Sequence, residues 1–458
     1  MTQTAKQNGI ALIITMVVLA IISALVLSLA AISAANLQIT ENRRNASKAL
    51  ASAHSGIEIL RHFLNGINAA AGSQCISSIA DEVNNLFAAE AISNISFTST
   101  GTPIQEMNFA PVTIDSAQNQ SFSAILSKLN DDTVRLSVTG SCGNFNKTTI
   151  VDFNIVSRGN SVFNYGVATR GALQMSGQAE ISGVDLAIDS SVYIEGQLSG
   201  DSFSIANKAS VAGNVYIADP YASYSVGSQA VVGGESGADA CDHVFLGTPP
   251  AQFPAPNPSF FEPFATGPEI TSATIIDSCA VLNNVTIKAN TNPTFAGHVT
   301  INGVLFIEQP NVVTFAGQAT VRGIIVGDGE VGESTSSNKL VFSGQVECLD
   351  VSGLTGAEFD GIKQQTGTFI LAPGFSAQFS GQTTIDNGAI AASGITFTGQ
   401  AGGTINGSII NYSPTQPVIL SGQSSLSFHR SGTETSPAGF SPIKQLDYLP
   451  QTYAEPAI

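Results

Sequence analysis

FSGQTTIDNGAIAASGITFTGQ, Phe379 to Gln400, opens and closes on the same phrase: an aromatic residue, a small residue, Gly and Gln, returning after 18 residues. The phrase recurs as MSGQ at Met175, IEGQ at Ile194, FAGH at Phe295, FAGQ at Phe315, FSGQ at Phe342 and LSGQ at Leu420. Successive glycines lie 19 residues apart from Gly177 to Gly196, 20 from Gly297 to Gly317 and 23 from Gly399 to Gly422. Each step is about one rung of a parallel β-helix. The step of 37 from Gly344 to Gly381 reads as two rungs, and the step of 27 from Gly317 to Gly344 contains the polar insertion GESTSSNK. A period of this length with strand-like alternation predicts a solenoid in which each coil buries its side chains against the next. A β-sandwich of many short strands is the alternative, but it does not require a phrase at fixed period. In the solenoid the Phe side chains stack inside. Gly177, Gly317, Gly344, Gly381, Gly399 and Gly422 take turn conformations that a Cβ disfavours. Gln178, Gln318, Gln345, Gln382, Gln400 and Gln423 form a ladder of amide hydrogen bonds that belongs to the scaffold.

The solenoid reading extends over 160–430, followed by a C-terminal tail over 431–458. Within it lies TPPAQFPAPNPSFFEPFATGP, Thr248 to Pro268, carrying seven of the 19 prolines. Proline at this density prevents ladder pairing and favours an extended excursion. Before the solenoid, residues 66–159 read as a small α+β unit. Thr133–Gly140 and Thr148–Val156 alternate apolar and polar residues as strands, joined by GSCGNFNK. The fold class is therefore mainly β, with 458 residues enough for two or three domains.

At the N-terminus, MTQTAKQNG is followed by the apolar run IALIITMVVLAIISALVLSLAAISAA, Ile10 to Ala35, and no charged residue occurs between Lys6 and Glu41. A helix of this run is roughly 39 Å long, against a bilayer hydrocarbon core of about 30 Å. It is too long for an ordinary secretory signal segment. Ala46, Leu50, Ala53, Ile57, Leu60 and Leu64 continue the pattern at steps of four and three, so one helix is expected over residues 10–65.

A short leader ending in Gly, an apolar helix and an amphipathic extension resemble the N-terminus of type IV pilins and their relatives in type II secretion, with a class III-like leader. NRRNASKALASAHSGIEILR, Asn42 to Arg61, is similar more narrowly to PilX-type minor pilins, matching at Ala51, Ala53, Gly56, Ile57 and Glu58 and departing at His54. The resemblance covers about the first 65 residues. It implies cleavage by prepilin peptidase after Gly9, exposing the amine of Ile10. It further implies single-pass anchoring in the inner membrane before assembly into an extracellular pilus, with other major and minor pilins as partners. Major pilins carry a glutamate at the fifth mature position, which here is Ile14. A subunit without that acid has no counter-charge for the amine of the subunit above, which implies a tip or initiating position. Small residues Ala20, Ser23, Ala24, Ser28, Ala31 and Ala35 permit close helix approach. Joined to a Gly-rich solenoid, such a start looks similar to large pilus-assembly proteins whose C-terminal domain has no assigned activity.

The net charge of −17 argues against nucleic acid, since phosphate binding needs basic patches. Cys75 with Cys142 and Cys241 with Cys279 are candidate disulfide pairs in an extracellular setting, with buried thiols as the alternative and Cys348 left over. Parallel β-helices also host polysaccharide lyases and hydrolases. The acids available, Asp328, Glu330, Glu333, Glu347, Asp350 and Asp360, sit in or beside loops and read as solvated turns, with calcium the better functional option. His54, His62, His243, His298 and His429 lack metal-ligand spacing, and no cofactor is expected. The expectation is a non-enzymatic minor pilin whose solenoid meets a surface or glycan target. A type II secretion pseudopilin and a membrane-anchored β-helix carbohydrate-active enzyme stand as alternatives.

Overall fold

A computed structural model describes residues 7–456, apart from 66, 68–73, 90–91, 102, 159, 197–199, 333–335 and 431–435. The chain divides into two units, one formed by residues up to Ser157 together with those from Lys444 onward, the other by Arg158–Ile443.

The first unit is built on helix α1, Gln7–Leu64. Its C-terminal half buries Ala49, Ala53, Ile57, Leu60 and Leu64, while Ala46 and Leu50 stay half-buried. Against it lies an antiparallel sheet of β1 (Phe97–Thr100), β2 (Glu106–Asp115), β3 (Gln120–Asn130), β4 (Thr133–Cys142) and β5 (Phe145–Arg158). β4 alternates buried Val134, Leu136 and Val138 with outward residues, as a half-buried strand should. The helix comes so close that a Cβ on Gly140 would lie 2.0 Å from the Ala49 carbonyl oxygen. On the outward face Arg135 clamps Asp152 with two hydrogen bonds of 2.7 and 3.0 Å.

Three features of this unit differ from the sequence reading. The GSCGNFNK connection is mostly strand, and only Gly143 and Asn144 make the turn. A second helix, α2 (Cys75–Ala89), buries Ile76, Ile79, Ala80, Val83 and Phe87 at helical spacing. Within the stretch expected as a C-terminal tail, Ile443–Ala454 is the sixth strand of the sheet, next to β5. Leu446 enters the core and Tyr448 meets Phe153 edge-on. Pro450 is tolerated there because an edge strand has one side without ladder partners.

The second unit is a solenoid of parallel strands with three faces. The first face is a nine-stranded sheet, and the second and third are continuous in a 19-stranded one. They merge because long strands turn the corner: Gln318–Gly327 pairs through its first half with Gln345–Leu349 and through Ile325 and Val326 with Thr368–Ala372. Side chains from all three faces fill one interior. Phe295, Phe315, Phe342, Phe379 and Phe397 stack there at centroid distances of 5.2, 4.7, 4.6 and 4.6 Å. Leu420, Met175, Ile205 and Val226 continue the same column.

The rungs do not stack in chain order. On the first face the order runs 223–226, 201–205, 173–175, 418–420, 395–397, 376–379, 339–342, 312–315, 294–295. The chain thus begins mid-stack, builds outward to one end, crosses to the opposite end, and coils back until its last rung docks on its first. The proline-rich segment makes that crossing. It lies on the third face, whose outward residues Tyr193, Ile410, Leu371 and Phe306 are apolar, and seats Phe261 among them. Its backbone is held by the Tyr193 hydroxyl, which accepts from the Ala251 N–H at 2.9 Å, and by the Tyr412 hydroxyl, which donates to the Pro254 carbonyl at 2.8 Å.

Two readings of the repeat are corrected. IEGQ at Ile194 is a chance match: Ile194 ends a strand of the third face and pairs with Ile217, outside the Phe column. The 37-residue step is a single rung, because Lys339–Phe342 pairs directly with Ser376–Phe379. The extra length is a run of 3₁₀ turns between Val351 and Gln364.

Phe342→Ala removes a ring stacked on both sides and leaves a cavity in a close-packed column. Its cost should be about 3–5 kcal/mol, read as a lowered denaturant midpoint of the purified chain. A shift equivalent to less than about 1 kcal/mol would mean that neighbouring rungs collapse into the gap.

Candidate functional site

Three surfaces are candidates, and two of them carry residues singled out from sequence. The first is α1. Gly9 and Ile10 lie within the helix. Side chains from Leu12 to Ile39, Ile14 among them, are exposed, and the helix is long and apolar enough to cross a bilayer. Ala20, Ala24, Ser28, Ala31 and Ala35 follow at steps of four and three and so share one side of it. Ser28 satisfies its hydroxyl on the Leu25 carbonyl at 3.0 Å. Charge resumes past this stretch with an exposed Glu41–Arg44 pair at 3.3 Å.

The second surface is the glutamine ladder. Gln318, Gln345, Gln382, Gln400, Gln423 and Gln178 are each exposed, and the Nε2 of each of the first five donates to the Oε1 of the next at 2.7–3.4 Å. The last of these bonds crosses from the final rung to the first. His298 occupies the Gln position one rung beyond Gln318. The glycines beside the ladder serve two purposes. Gly177, Gly381, Gly399 and Gly422 lie at φ of 70–79°, where a side chain is disfavoured. Gly317 and Gly344 are outside that region. There crowding excludes a side chain, since a Cβ on Gly344 would lie 2.1 Å from the Gly317 carbonyl oxygen. A trench of about 520 Å³ runs beside Gln318, Gln345 and Gln382, but these amides already spend donors and acceptors on one another.

The third surface, missed from sequence, is a groove of about 570 Å³ on the first face, lined by Lys339, Gln378, Thr396, Thr415, Gln416 and Ile419 among others. The outward residues of this face align across its strands as Ser225, Ser204, Gln174, Ile419, Thr396, Gln378, Val341, Thr314 and Thr294, a row without a charge. The second face differs, with Glu180, Asp386, Glu347 and Arg322 among its outward residues. The uncharged row was visible as one residue per rung, but assigning those residues to one surface required the rung order.

The acids considered for catalysis or calcium are dispersed. Asp328 accepts from its neighbour Gly329 N–H, Asp350 from Ser352 N–H, and Asp360 pairs with Lys363 at 3.1 Å. Glu347 lies on the second face, and Glu333 is outside the described residues. Among the described residues no group of three His, Cys, Asp or Glu side chains converges as metal ligands do.

Both candidate disulfides are corrected, for all five cysteines are free thiols. Cys75 lies near Lys128, at one end of β3, whereas Cys142 pairs with Gln120 at the other end. The eight residues between span roughly 26 Å, far beyond the ~7 Å Cα limit of a bridge. Cys241 belongs to the turn before Val244–Leu246 at one end of the stack, while Cys279 precedes the strand Val281–Ile287 at the other. Nine rung steps, about 43 Å, separate those strands. Burial pushes the Cys348 thiol up and keeps it protonated.

Fold and surfaces define the class: a mainly β chain with a long apolar N-terminal helix, a small α+β head and a large solenoid of parallel strands. No family model and no curated protein matches the chain. Among solved structures, the competence-associated pilin ComZ from Thermus thermophilus aligns at 11% identity over 90% of this chain and 98% of its own, with a TM-score of 0.24. The glycosylated ice-binding protein LeIBP from an Arctic yeast aligns at 9% identity over 60% of this chain and 94% of its own, with a TM-score of 0.20. At these TM-scores neither likeness carries an argument about this chain.

In the native chain without reductant, maleimide should label Cys279 first and Cys241 more slowly. Cys75, Cys142 and Cys348 should react only after denaturation, and the intact mass should correspond to five free thiols. A mass deficit matching a bridge would contradict the separations above.

Proposed function

We propose that this chain is a non-enzymatic, PilX-type minor pilin of a type IV pilus, an assembly subunit at or near the tip that displays its solenoid outside the cell for adhesion. One observation carries the reading: α1 is continuous, with its apolar N-terminal half exposed and its C-terminal half buried in a head of antiparallel strands. A helix left bare over that length has to be covered by lipid or by other apolar helices, because water solvates it poorly. Both coverings belong to a pilin, first in the inner membrane and then in the fibre core beside major and minor pilins. Ile14 supports a terminal position, since the helix offers no carboxylate at the fifth mature residue to a neighbouring amine. A solenoid of 286 residues repeated along a thin fibre would crowd it, which also favours the tip.

Docking requires that prepilin peptidase first cut between Gly9 and Ile10. Mass spectrometry of the chain from membranes and from sheared surface fibres should find Ile10 as the first residue, and Gly9→Asp should leave the leader attached. An intact Met1 in the wild type, or a cut after Ala35, would sink the pilin reading. Recovery with a secretion complex and never with fibres would move the chain to the pseudopilins.

A further inference from the structure

We propose that the groove on the first face of the solenoid binds an uncharged, extended polysaccharide whose chain runs across the rungs. The proposal rests on the solenoid being displayed outside the cell and deepens that reading by naming the surface and the ligand class.

The three faces have different chemistry. The third is apolar and covered by the proline-rich crossing, and the second carries charge of both signs. The first is open and polar, with no charge in its central row. A solvated sheet face ordinarily carries charged side chains for solubility, and this chain has a net charge of −17 to distribute. Their exclusion from a row nine strands long points to a ligand without charge.

The groove lies where this row is walled. Its floor takes Ile419, Thr396, Gln378 and Lys339 from four adjacent strands, a span of about 14 Å. One wall is the loop Ser413–Pro417, which the buried Asn411 fixes. Its Nδ2 donates to Thr169 Oγ1 at 3.0 Å and to the Gln416 carbonyl at 2.8 Å, and its Oδ1 accepts from the Ser413 N–H at 3.1 Å. A wall held this way needs little ordering when ligand arrives, which lowers the entropic cost of binding.

The donors on the floor are free. The side chains of Gln378, Thr396 and Lys339 have no hydrogen-bond or ion-pair partner among the described residues. This separates the groove from the ladder trench, whose amides satisfy one another. Amide, hydroxyl and ammonium groups on a shallow floor complement the hydroxyl rim of sugar rings, each able to donate and accept. A protein partner is disfavoured, because its hot spots would need deep apolar or aromatic pockets and the described lining residues include no aromatic one. Among the described residues Lys339 is the one charged group of the lining, too little for a polyanion against the overall negative field. The rung spacing of about 4.8 Å presents these groups at intervals close to the length of one sugar unit, so a polymer engages several rungs at once.

The test is calorimetric titration of the full chain in detergent with oligosaccharides of neutral glucan, mannan and N-acetylglucosamine type, and with oligogalacturonate as the charged probe. At least one neutral series should bind, more tightly as the oligomer lengthens. Gln378→Glu and Thr396→Lys should each weaken it by about tenfold or more, as should Gln416→Ala on the wall, while Thr384→Lys on the second face should not. Thermal melting checks that each variant is folded, and Gln416→Ala decides the matter if a floor variant is not. Absence of binding to every neutral series, binding insensitive to folded floor and wall variants, or preference for oligogalacturonate would overturn the proposal. A chain that is processed at Ile10 yet binds no neutral glycan sinks this inference alone. One that binds but keeps its leader preserves the groove and sinks the pilin reading.

Discussion

The solenoid depends on a single closure: the rung of residues 418–428 pairing with that of 173–183. A strand inside a parallel sheet must be paired on both sides, or it leaves a row of unmet N–H and C=O groups. Here each rung at the junction obtains one neighbour from a segment some 245 residues away. The Phe column, continued by Leu420 and Met175, and the amide ladder from Gln423 to Gln178 both pass through it. Ordinary repeat arrays can grow from any repeat to the next. This one has two runs that must find each other, so its contacts are long-range and its folding is correspondingly slow to nucleate.

The proline-rich crossing follows from the same constraint. If the chain starts mid-stack and grows to one end, it must travel the whole stack to begin the second run. Proline suits that journey because it stays extended without seeking ladder partners. The crossing also lets the third face be apolar on both sides, as in strands with runs such as GVLFI and AIAA. One covered face and one charged face leave the first as the surface at which an uncharged partner can be met.

Much of this was legible in the residues. The phrase ending in Gly-Gln identified the solenoid, the Phe column and the ladder, because aromatic stacking and amide pairing require the same residue at the same place in every coil. The apolar run and its four-and-three continuation identified α1. The rung order was not legible, since spacing records the length of a coil and says nothing about which coil lies beside it. IEGQ at Ile194 had the right letters in the wrong face. The 37-residue rung looked double because an outward excursion adds residues without adding a layer. The final strand was hidden by Pro450 and by its distance from β5 in sequence. The groove was hidden because its floor takes about one residue from each of four rungs.

The solenoid enters the chain as an insertion, leaving the head after β5 and returning into the strand beside it. It is therefore tethered by two covalent connections rather than one. A domain joined to its neighbour through one linker is released when that linker is cut. Here a cut in the returning connector leaves the solenoid covalently joined to the head, whereas a cut after β5 leaves it held only by the pairing of Ile443–Ala454 with β5, so release then also requires that strand to leave the sheet.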